Sequence, residues 1–458
     1  MSLLDQLLST IKDACAYVFV QRRMRIRAGE LMLGLLCAMG RRTISRSICT
    51  LGRQDRDWSA DYKLYSRSLW ETQRLFDPVI REYGQRYRQG PIVMALDDTR
   101  LSKTGRKIES AFYQKDPLSP PFHVNLMYGL RFMQASLIFP HYREGDYSAR
   151  AFPVRFVECP TVKKPGRKAS EEQIKAYRKI AKDRALPAQG LEVIKELRSG
   201  VDRLGEKHRP MLFAIDGSLC NRTIFKAKMD RVDLVARCRK DARLCFPAQP
   251  GTRRKYGAKR FTPANVHKDE SICWKRADIH FGGAWRSIEY KEIREVLWQR
   301  GAGTRRLNLL VVAPQPYKLS PNSRIHYRQP AYLLGTDLES SVSVVLQAYF
   351  DRWQIEVNHR EEKDTLGVGQ AQVRSNQSVP RHPAFAVAAY SLLLLAGLKA
   401  FGPGRSDSFM ALPKWRKTAR RASALDLVTL LRVEINEGRF TDVLREKIAQ
   451  NMVPYACA

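Results

Sequence analysis

Four polar residues around position 356 have a spacing that would suit chemistry on phosphate groups. Tyr349, Arg352, Glu356 and Lys363 follow one another at intervals of 3, 4 and 7 residues. At about 100° per helical residue they fall within an arc of roughly 60°, so a helix would present all four on one narrow face. The same pattern also describes an amphipathic helix with solvated ion pairs, and the rest of the chain must decide between the two.

An apolar stripe lies beside this polar face. Leu346, Phe350, Trp353 and Val357 recur at helical spacing, and this periodicity predicts that they pack against a sheet. The polar face would then lie at the edge of a hydrophobic core, where a carboxylate and two cations could act on a ligand.

Two apolar runs upstream predict short buried strands that end in acids. Residues 92–96 precede Asp97 and Asp98, and residues 211–215 precede Asp216, as in strands that deliver carboxylates to one edge of a sheet. Asp97 and Asp98 would point to opposite faces of an extended strand, so only one can join Asp216 and Glu356. Three such carboxylates suit two Mg²⁺ ions about 3.5–4 Å apart, the arrangement that phosphodiester cleavage uses.

Net charge is the strongest global property of the sequence. The 458 residues include 80 Lys and Arg against 46 Asp and Glu, a formal net charge of +34. Such a surplus is costly in self-repulsion unless a polyanion offsets it, which favours a nucleic-acid partner. The sequence shows neither a basic amphipathic helix nor a lipidation motif, so no membrane partner is expected.

The cysteines and the apolar runs predict a cytoplasmic protein. Nine cysteines without a CxxC pair argue against a disulfide framework or a zinc ribbon, and predict reduced thiols. The first residues lack the basic-then-apolar order of a signal peptide. The run Ala384–Leu398 is too short to span a bilayer and predicts a buried helix.

The first 90 residues predict short helices that are joined at Gly40 and Gly52 and carry arginines at their ends. This pattern suits a DNA-binding domain with a helix-turn-helix, and it suits equally well a helical cap on the domain that follows. The sequence leaves these two interpretations open.

Strands and helices alternate after residue 91. Strands are predicted at Phe122–Leu130 and Phe132–Phe139, on either side of a tight junction. Ser170 and Gln173 form a capping-box pattern that opens a helical region to about Lys207. Later in the chain we predict a helix at 221–229 and strands at 232–237, 307–312 and 331–334.

This order predicts an α/β fold, with an RNase H-like catalytic domain that is interrupted by a mainly β insertion and flanked by helical regions. The predicted boundaries are residues 1–90 for an N-terminal helical domain, 91–244 for the first part of the core, 245–335 for a basic β-rich insertion, 336–400 for the catalytic helix and the helix after it, and 401–458 for a C-terminal helical tail.

Three motifs resemble those of bacterial insertion-sequence DDE transposases, which belong to the RNase H-like, retroviral-integrase superfamily. Tyr349–Arg352–Glu356–Lys363 matches their Y-x2-R-x3-E-x6-K motif, DDTRLSKTGRK (97–107) their first-aspartate motif, and AIDGSLCNRTIFK (214–226) their second. The resemblance covers roughly residues 90–400, and its D-x-T spacing favours Asp97 over Asp98.

The resemblance implies a cut-and-paste DNA transposase that cleaves transposon ends and joins the 3′-hydroxyl to target DNA. Asp97, Asp216 and Glu356 would hold two Mg²⁺ ions, with Mn²⁺ as a substitute. The expected DNA contacts are Tyr349, Arg352 and Lys363 near the cleaved bond, and Arg253, Arg254, Lys255, Lys259 and Arg260 in the basic insertion. The implied partners are double-stranded transposon ends and target DNA, bound by a homodimer in the bacterial nucleoid.

Some relatives cleave through a DNA hairpin and hold a flipped base against a Trp near the end of the insertion. The corresponding stretch, Leu307–Pro314, contains no aromatic residue, although Trp274, Trp285 and Trp298 could substitute. Two other functions stay open: a catalytically inactive, domesticated DNA-binding protein, and an RNase H-like nuclease such as a junction resolvase.

Overall fold

The protein is a mixed α/β structure, seen here in a computed structural model that describes residues 2–116, 118–120, 122–143, 145–320, 322–403 and 421–437. The helices are α1 (Leu3–Val18), α2 (Arg22–Cys37), α3 (Ile44–Thr50), α4 (Ser59–Ser66), α5 (Asp77–Arg86), α6 (Glu171–Asp183), α7 (Leu186–Arg203), α8 (Arg222–Phe225), α9 (Pro263–Lys268), α10 (Val342–Asp351), α11 (Gln354–Arg360), α12 (Ser378–Phe401) and α13 (Ala424–Glu437). The strands are β1 (Ile92–Ser102), β2 (Phe112–Lys115), β3 (Leu126–Arg143), β4 (Asp146–Glu158), β5 (Met211–Ile215), β6 (Val232–Arg237), β7 (Leu244–Pro247), β8 (Tyr256–Phe261), β9 (Lys275–Phe281), β10 (Ala284–Leu297), β11 (Arg306–Val312), β12 (Pro316–Tyr317), β13 (His326–Tyr327) and β14 (Ala331–Gly335).

One sheet runs through the described part of the chain and contains twelve of these strands. Its central order is β4-β3-β1-β5-β6, in which β1, β5 and β6 are parallel and β3 is antiparallel to β1. This centre is consistent with an α/β nuclease-like fold. Beyond β6 the sheet continues through β14, β11, β10, β7 and β8, so the predicted insertion extends the central sheet.

The predicted strands after residue 91 are partly confirmed. The predicted strands at 211–215 and 232–237 are β5 and β6, and the two later ones agree with β11 and β14 to within one residue. The first strand was predicted to end at Leu96, but β1 continues to Ser102 because β3 pairs with it as far as Gly129. Ladder partners on β3 therefore override the low strand propensity of the two aspartates.

The prediction of two strands around Gly129 is wrong, because β3 is one strand that passes through the junction. Gly129 marks a close approach instead: a Cβ there would lie 2.3 Å from the Leu101 carbonyl oxygen. A glycine in a strand interior often marks such a contact. The strand that pairs with the outer edge of β3 in this centre is β4, and no sequence pattern predicted it.

The helical region predicted after Ser170 is two helices, α6 and α7. Its capping box is confirmed, since the Ser170 hydroxyl accepts from the Gln173 amide and the Gln173 side chain accepts from the Ser170 amide. The helix predicted at 221–229 is much shorter, with α8 covering four residues.

The N-terminal helices share a hydrophobic core with α12 and α13. Buried residues of α1, α2 and α5 belong to the same cluster as those of α12, and the Leu3 and Leu4 amides donate to the Glu434 carboxylate on α13. This packing corresponds to the helical-cap interpretation. DNA binding by these helices stays a prediction.

Helix α12 contains the apolar run predicted as a buried helix, and its residues from Pro383 to Leu398 are buried. Among the described residues it is one helix whose length and composition would allow a membrane crossing, with a mean hydropathy of 1.8. The rest of the C-terminal tail lies mostly outside the described residues, including the basic run Lys414–Arg421 except for Arg421.

Candidate active site around Asp97 and Asp216

Asp97 lies in β1 on the face that packs under α11. Its strand neighbour Ala95 joins Ile355 of α11 in one buried cluster. The pKa of Asp97 is raised to about 7, mainly by burial and also by the nearby carboxylates of Asp98 and Asp216, while the hydrogen bond from the Asp98 amide and the charge of Arg352 oppose the rise. Asp97 is therefore a carboxyl group that titrates near neutral pH.

Asp98 points to the opposite face of β1, as strand alternation predicts. Its Oδ2 accepts a hydrogen bond of 2.7 Å from Nε of Arg131 on β3, in a tight ion pair. Asp98 therefore has its own cation, and Asp97 is the aspartate that lies towards α11.

Asp216 follows the last residue of β5. Because β1 and β5 are parallel with Leu96 opposite Ile215, Asp97 and Asp216 are the next residues along neighbouring chain segments, whose strands lie about 4.8 Å apart. Oδ2 of Asp216 accepts from the Ser218 amide at 3.3 Å, which caps a short 3₁₀ turn. The two aspartates thus lie next to the point where the parallel pairing of β1 with β5 ends.

Glu356 comes from α11, and its side chain is 37% exposed. Burial and the charge of Asp216 raise the pKa of Glu356, whereas Arg352 opposes this rise. Asp216 affects the pKa of both Asp97 and Glu356, so it lies within electrostatic reach of each of these two acids. Long-range pairing brings together residues that are 259 positions apart along the chain.

Arg352 lies between two of these acids. Its Nη1 is 4.0 Å from Oδ2 of Asp97 and 3.7 Å from Oε1 of Glu356, and its side chain is 13% exposed. Its Nε is buried without a hydrogen-bond partner among the described residues. The guanidinium therefore serves as a counter-ion for the acids at distances longer than a hydrogen bond.

Tyr349 lies beside Arg352, whose Cζ is 5.8 Å from the centre of the Tyr349 ring. Burial raises the pKa of the Tyr349 hydroxyl, with Asp216 adding to the rise and Arg352 and Arg237 opposing it. Tyr349 therefore borders the acids on the Asp216 side.

Lys363 lies on the other side of the site. Burial lowers the pKa of its ammonium group, and the charges that modulate it are those of Glu362, Asp364, Arg100 and Asp98. Lys363 thus lies near the Asp98 face of β1 rather than between Asp97 and Glu356.

The prediction of a single regular helix from Tyr349 to Lys363 is wrong. Helix α10 ends at Asp351, α11 begins at Gln354, and a π-helical segment covers Glu361–Thr365. The wider π turn changes the angle between successive side chains, so the phase assumed for Lys363 does not hold. Such π segments often occur at functional sites.

The interruption also places Trp353 outside the apolar stripe that was predicted to pack on a sheet. Leu346 is buried, and Phe350 stacks on Phe281 of β9, but Trp353 is 59% exposed. An exposed aromatic ring next to Arg352 provides a flat surface for stacking. No spacing signal in the sequence distinguishes it from its buried neighbours.

The predicted basic residues of the insertion are exposed and lie several strands away from the acids in the sheet. Arg253, Arg254 and Lys255 lie between β7 and β8, and Lys259 and Arg260 lie on β8, at the edge of the sheet. Six strand spacings separate β8 from β5, roughly 30 Å along the sheet. The prediction that these residues bind DNA therefore concerns an edge of the sheet that is six strands away from β5.

Two basic clefts flank α8, directly after Asp216, and the sequence analysis missed both. Here they are called the β6-side cleft and the α6-side cleft. The β6-side cleft is lined by Cys220, Arg239, Asp241, Ala242, Arg243, Trp298 and Arg300. The α6-side cleft is lined by Lys182, Arg222, Thr223, Lys226 and Ala227. Their cations come from separate segments, so no local run of charge marks them in the sequence.

The three candidate tryptophans of the insertion have different surroundings. Trp298 packs edge-on against Phe225 and lines the β6-side cleft. Trp285 donates to the Gly145 carbonyl, and Lys291 lies over the Trp274 ring. Of the three, only Trp298 borders a basic cleft next to Asp216.

The acids, as placed, do not form a ready metal site. In the described part of the chain, no three Asp, Glu, His or Cys side chains lie close enough together to hold a metal ion. Carboxylate oxygens are suitable ligands for Mg²⁺, but Nη1 of Arg352 lies between Asp97 and Glu356. The chemistry of the donors fits the ion, and their arrangement does not.

No family model and no curated protein matches the chain. Among solved structures, the chain is similar to piggyBac transposase in a synaptic complex with hairpin DNA, at 11% identity and a TM-score of 0.33. The match covers 80% of this chain and 59% of that one, so the chain spans less than two thirds of that protein. A similarity at this level carries no argument, and function must be argued from the site.

Proposed function

We propose that the protein is a DDE-type DNA transposase, which binds the ends of a mobile element, cleaves a phosphodiester bond there and joins the released 3′-hydroxyl to target DNA. The observation that carries this proposal is the placement of Asp97 and Asp216 on the neighbouring strands β1 and β5, with Arg352 within 4.0 Å of both Asp97 and Glu356. The strand order β4-β3-β1-β5-β6 supports an RNase H-like core.

The residues around the acids suit a phosphate backbone. A guanidinium such as that of Arg352 can bind a phosphate through two parallel hydrogen bonds, and the Tyr349 hydroxyl can donate one more. The two clefts beside α8 add cations on the path away from Asp216. Together with the net charge of +34, they favour a long polyanion over a small phosphorylated ligand.

Three carboxylates beside a polyanion need compensating positive charge. Arg352 supplies one such charge, and the approach of a phosphate would add at least one negative charge. Divalent ions are the usual compensation at sites of phosphodiester cleavage. Mg²⁺, with Mn²⁺ as a substitute, therefore remains part of the proposal.

Cleavage of duplexes that carry the inverted repeats flanking the gene would test the proposal. We expect Asp216→Asn and Glu356→Gln to abolish nicking in Mg²⁺ or Mn²⁺ while duplex binding is retained. Glu270→Gln, which changes an exposed acid of the insertion, serves as the matched control and should keep full activity. Undiminished nicking by either site variant would refute the assignment.

One observation favours a second candidate, a DNA-binding protein without catalysis. The position of Arg352 between Asp97 and Glu356 gives these acids a structural partner that requires no metal ion. In that case the unaltered protein would bind the same duplexes and leave them intact in both metals, at every protein concentration that saturates binding.

A further inference from the structure

Asn358 is a buried polar side chain of α11, the helix that carries Glu356. It is 2% exposed and makes three hydrogen bonds of 3.0 Å. Its Oδ1 accepts from the Ser136 hydroxyl of β3, and its Nδ2 donates to the Ala151 carbonyl of β4 and to the Tyr390 hydroxyl of α12. Both amide protons are therefore used, and one side chain joins α11 to three other elements.

The strand side of this hydrogen-bond network lies beside Asp97. In the antiparallel pair of β1 and β3, Asp97 is opposite Gln134 and Ala95 is opposite Ser136. Directly opposite residues share one face of a sheet, so Gln134 and Ser136 lie on the same face as Asp97. Both are fully buried, and Nε2 of Gln134 donates to the Ser136 hydroxyl at 3.2 Å. A continuous chain of hydrogen bonds thus runs from the strand partner of Asp97 to Asn358.

The Glu356 side chain has a weaker hold on its surroundings than Asn358. It is 37% exposed, and its Oε1 lies 3.7 Å from Nη1 of Arg352, which is longer than a hydrogen bond. Asn358 is two residues further along α11, about 200° around the helix axis, so it faces the core while Glu356 lies on the more exposed side. The position of the Glu356 carboxylate therefore depends on how α11 is held from its buried side.

Apolar packing alone would define that position loosely. Ile355 joins α11 to a buried cluster with Ala95 and Ile138, but hydrophobic contact is non-directional. A hydrogen bond requires a short distance and a nearly straight angle, so the three bonds of Asn358 fix both the rotation of α11 and its position along the strands. A satisfied buried polar network specifies one arrangement in this way.

We infer that Asn358 is a positioning residue, which holds α11, and with it Glu356, in a fixed position relative to Asp97. Ser136 and Gln134 extend this hold to the strand that pairs with Asp97. The inference rests on the proposed function, because it takes Glu356 as a residue that acts in cleavage. Asn358 acts through the backbone of α11 and requires no contact with DNA.

Single-turnover cleavage of the inverted-repeat duplexes, measured together with their Kd, tests the inference. Asn358→Leu keeps the approximate shape and removes all three hydrogen bonds. We expect its cleavage rate constant to fall about 100-fold, as for a catalytic group displaced by about 1 Å, while the Kd of the duplex stays unchanged. Ser136→Ala removes one of the three bonds and should show a smaller loss, roughly tenfold. The double variant should be no slower than Asn358→Leu, because the two residues act through the same bond.

Thr336→Val is the matched control, because it also replaces a buried polar side chain by an apolar one of similar shape. It removes the hydrogen bond from the Thr336 hydroxyl to Asp233 and the one that this hydroxyl accepts from the Leu234 amide. Neither bond involves α11. Thr336→Val should lower the unfolding temperature as Asn358→Leu does, and keep the full cleavage rate at a temperature where every variant is folded.

Amide hydrogen exchange of α11 provides a readout that needs no cleavage. Exchange at residues 354–360 should become about tenfold faster in Asn358→Leu, because loss of the network lowers the free energy of local opening. It should stay unchanged in Thr336→Val. Ser136→Ala makes a smaller change and carries both measurements if Asn358→Leu does not fold.

The possible failures are distinguishable. If Asn358→Leu and Ser136→Ala cleave at the rate of the unaltered protein while Glu356→Gln does not cleave, the positioning role is wrong and the proposed function stands. If the unaltered protein binds the duplexes without cutting them, the proposed function is refuted. Unchanged hydrogen exchange of α11 in Asn358→Leu would refute the positioning role independently of cleavage.

Discussion

Replacing Asp97 by Asn should make the protein more stable above neutral pH while it removes a residue of the candidate site. Burial raises the pKa of Asp97 from 3.8 to about 7 in the folded protein, so ionisation of this carboxyl costs folding free energy. The stability contribution is present in full below pH 3.8 and is lost as the pH rises towards 7. Asn has a similar shape and no charge, so it avoids this cost.

The magnitude follows from the size of the rise. A pKa that increases from 3.8 to about 7 corresponds to about 4 kcal/mol at pH 8. The Asp97 side chain is 19% exposed, and water reduces the effect towards about 2 kcal/mol. The advantage of Asp97→Asn should therefore grow between pH 4 and pH 7 and stay constant above pH 7.

Thermal unfolding without divalent cations, at pH 4.5, 6 and 8, would measure this difference. Asp98→Asn is the control, because it makes the same change at the next residue but breaks the tight pair with Arg131. It should lower the unfolding temperature where Asp97→Asn raises it. If Asp97→Asn is less stable than the unaltered protein at pH 8, or its advantage does not depend on pH, then Asp97 is not a buried acid beside other acids.

Two further predictions concern the α6-side cleft and the packing of α10. Lys226→Glu should weaken binding of any DNA duplex and reduce the slope of log affinity against log salt by about 1, whereas Lys175→Glu on the exposed face of α6 should change neither. Equal salt slopes for both variants would exclude the α6-side cleft from the DNA path. Tyr147→Phe removes the hydroxyl that donates to the buried carboxylate of Asp351, which should cost about 1–3 kcal/mol in urea unfolding. Tyr142→Phe, which removes the hydroxyl of a 67% exposed ring, should cost little, and an equally small loss for Tyr147→Phe would contradict a structural role for the buried pair.

Short sequence patterns correctly predicted the parts of the site whose conformation depends only on residues nearby in the chain. A short apolar run that ends in a polar residue located β5 and Asp216, because a buried strand needs little more than its own side chains. Strand alternation separated Asp97 from Asp98, since the period of two does not depend on the strand's neighbours.

The errors arose where distant parts of the chain decide the conformation. Gly129 resembles a turn residue in sequence, but its role is to let β3 pass close to Leu101 of β1. The phase of a regular helix does not hold from Tyr349 to Lys363. Arg352 and Trp353 keep helical dihedrals but the amides of Ile355 and Glu356 bond three residues back, and the π segment Glu361–Thr365 contains Lys363 itself.

Electrostatics explains why the site and the protein's surplus charge belong together. A chain with a net charge of +34 favours a polyanionic partner, yet the acids around Asp97 would repel a phosphate at the point where chemistry is proposed. In the structure this repulsion is already reduced: burial keeps Asp97 partly protonated near neutral pH, and Arg352 offsets the charge of Glu356. The free site is thus closer to neutral than three carboxylates would suggest.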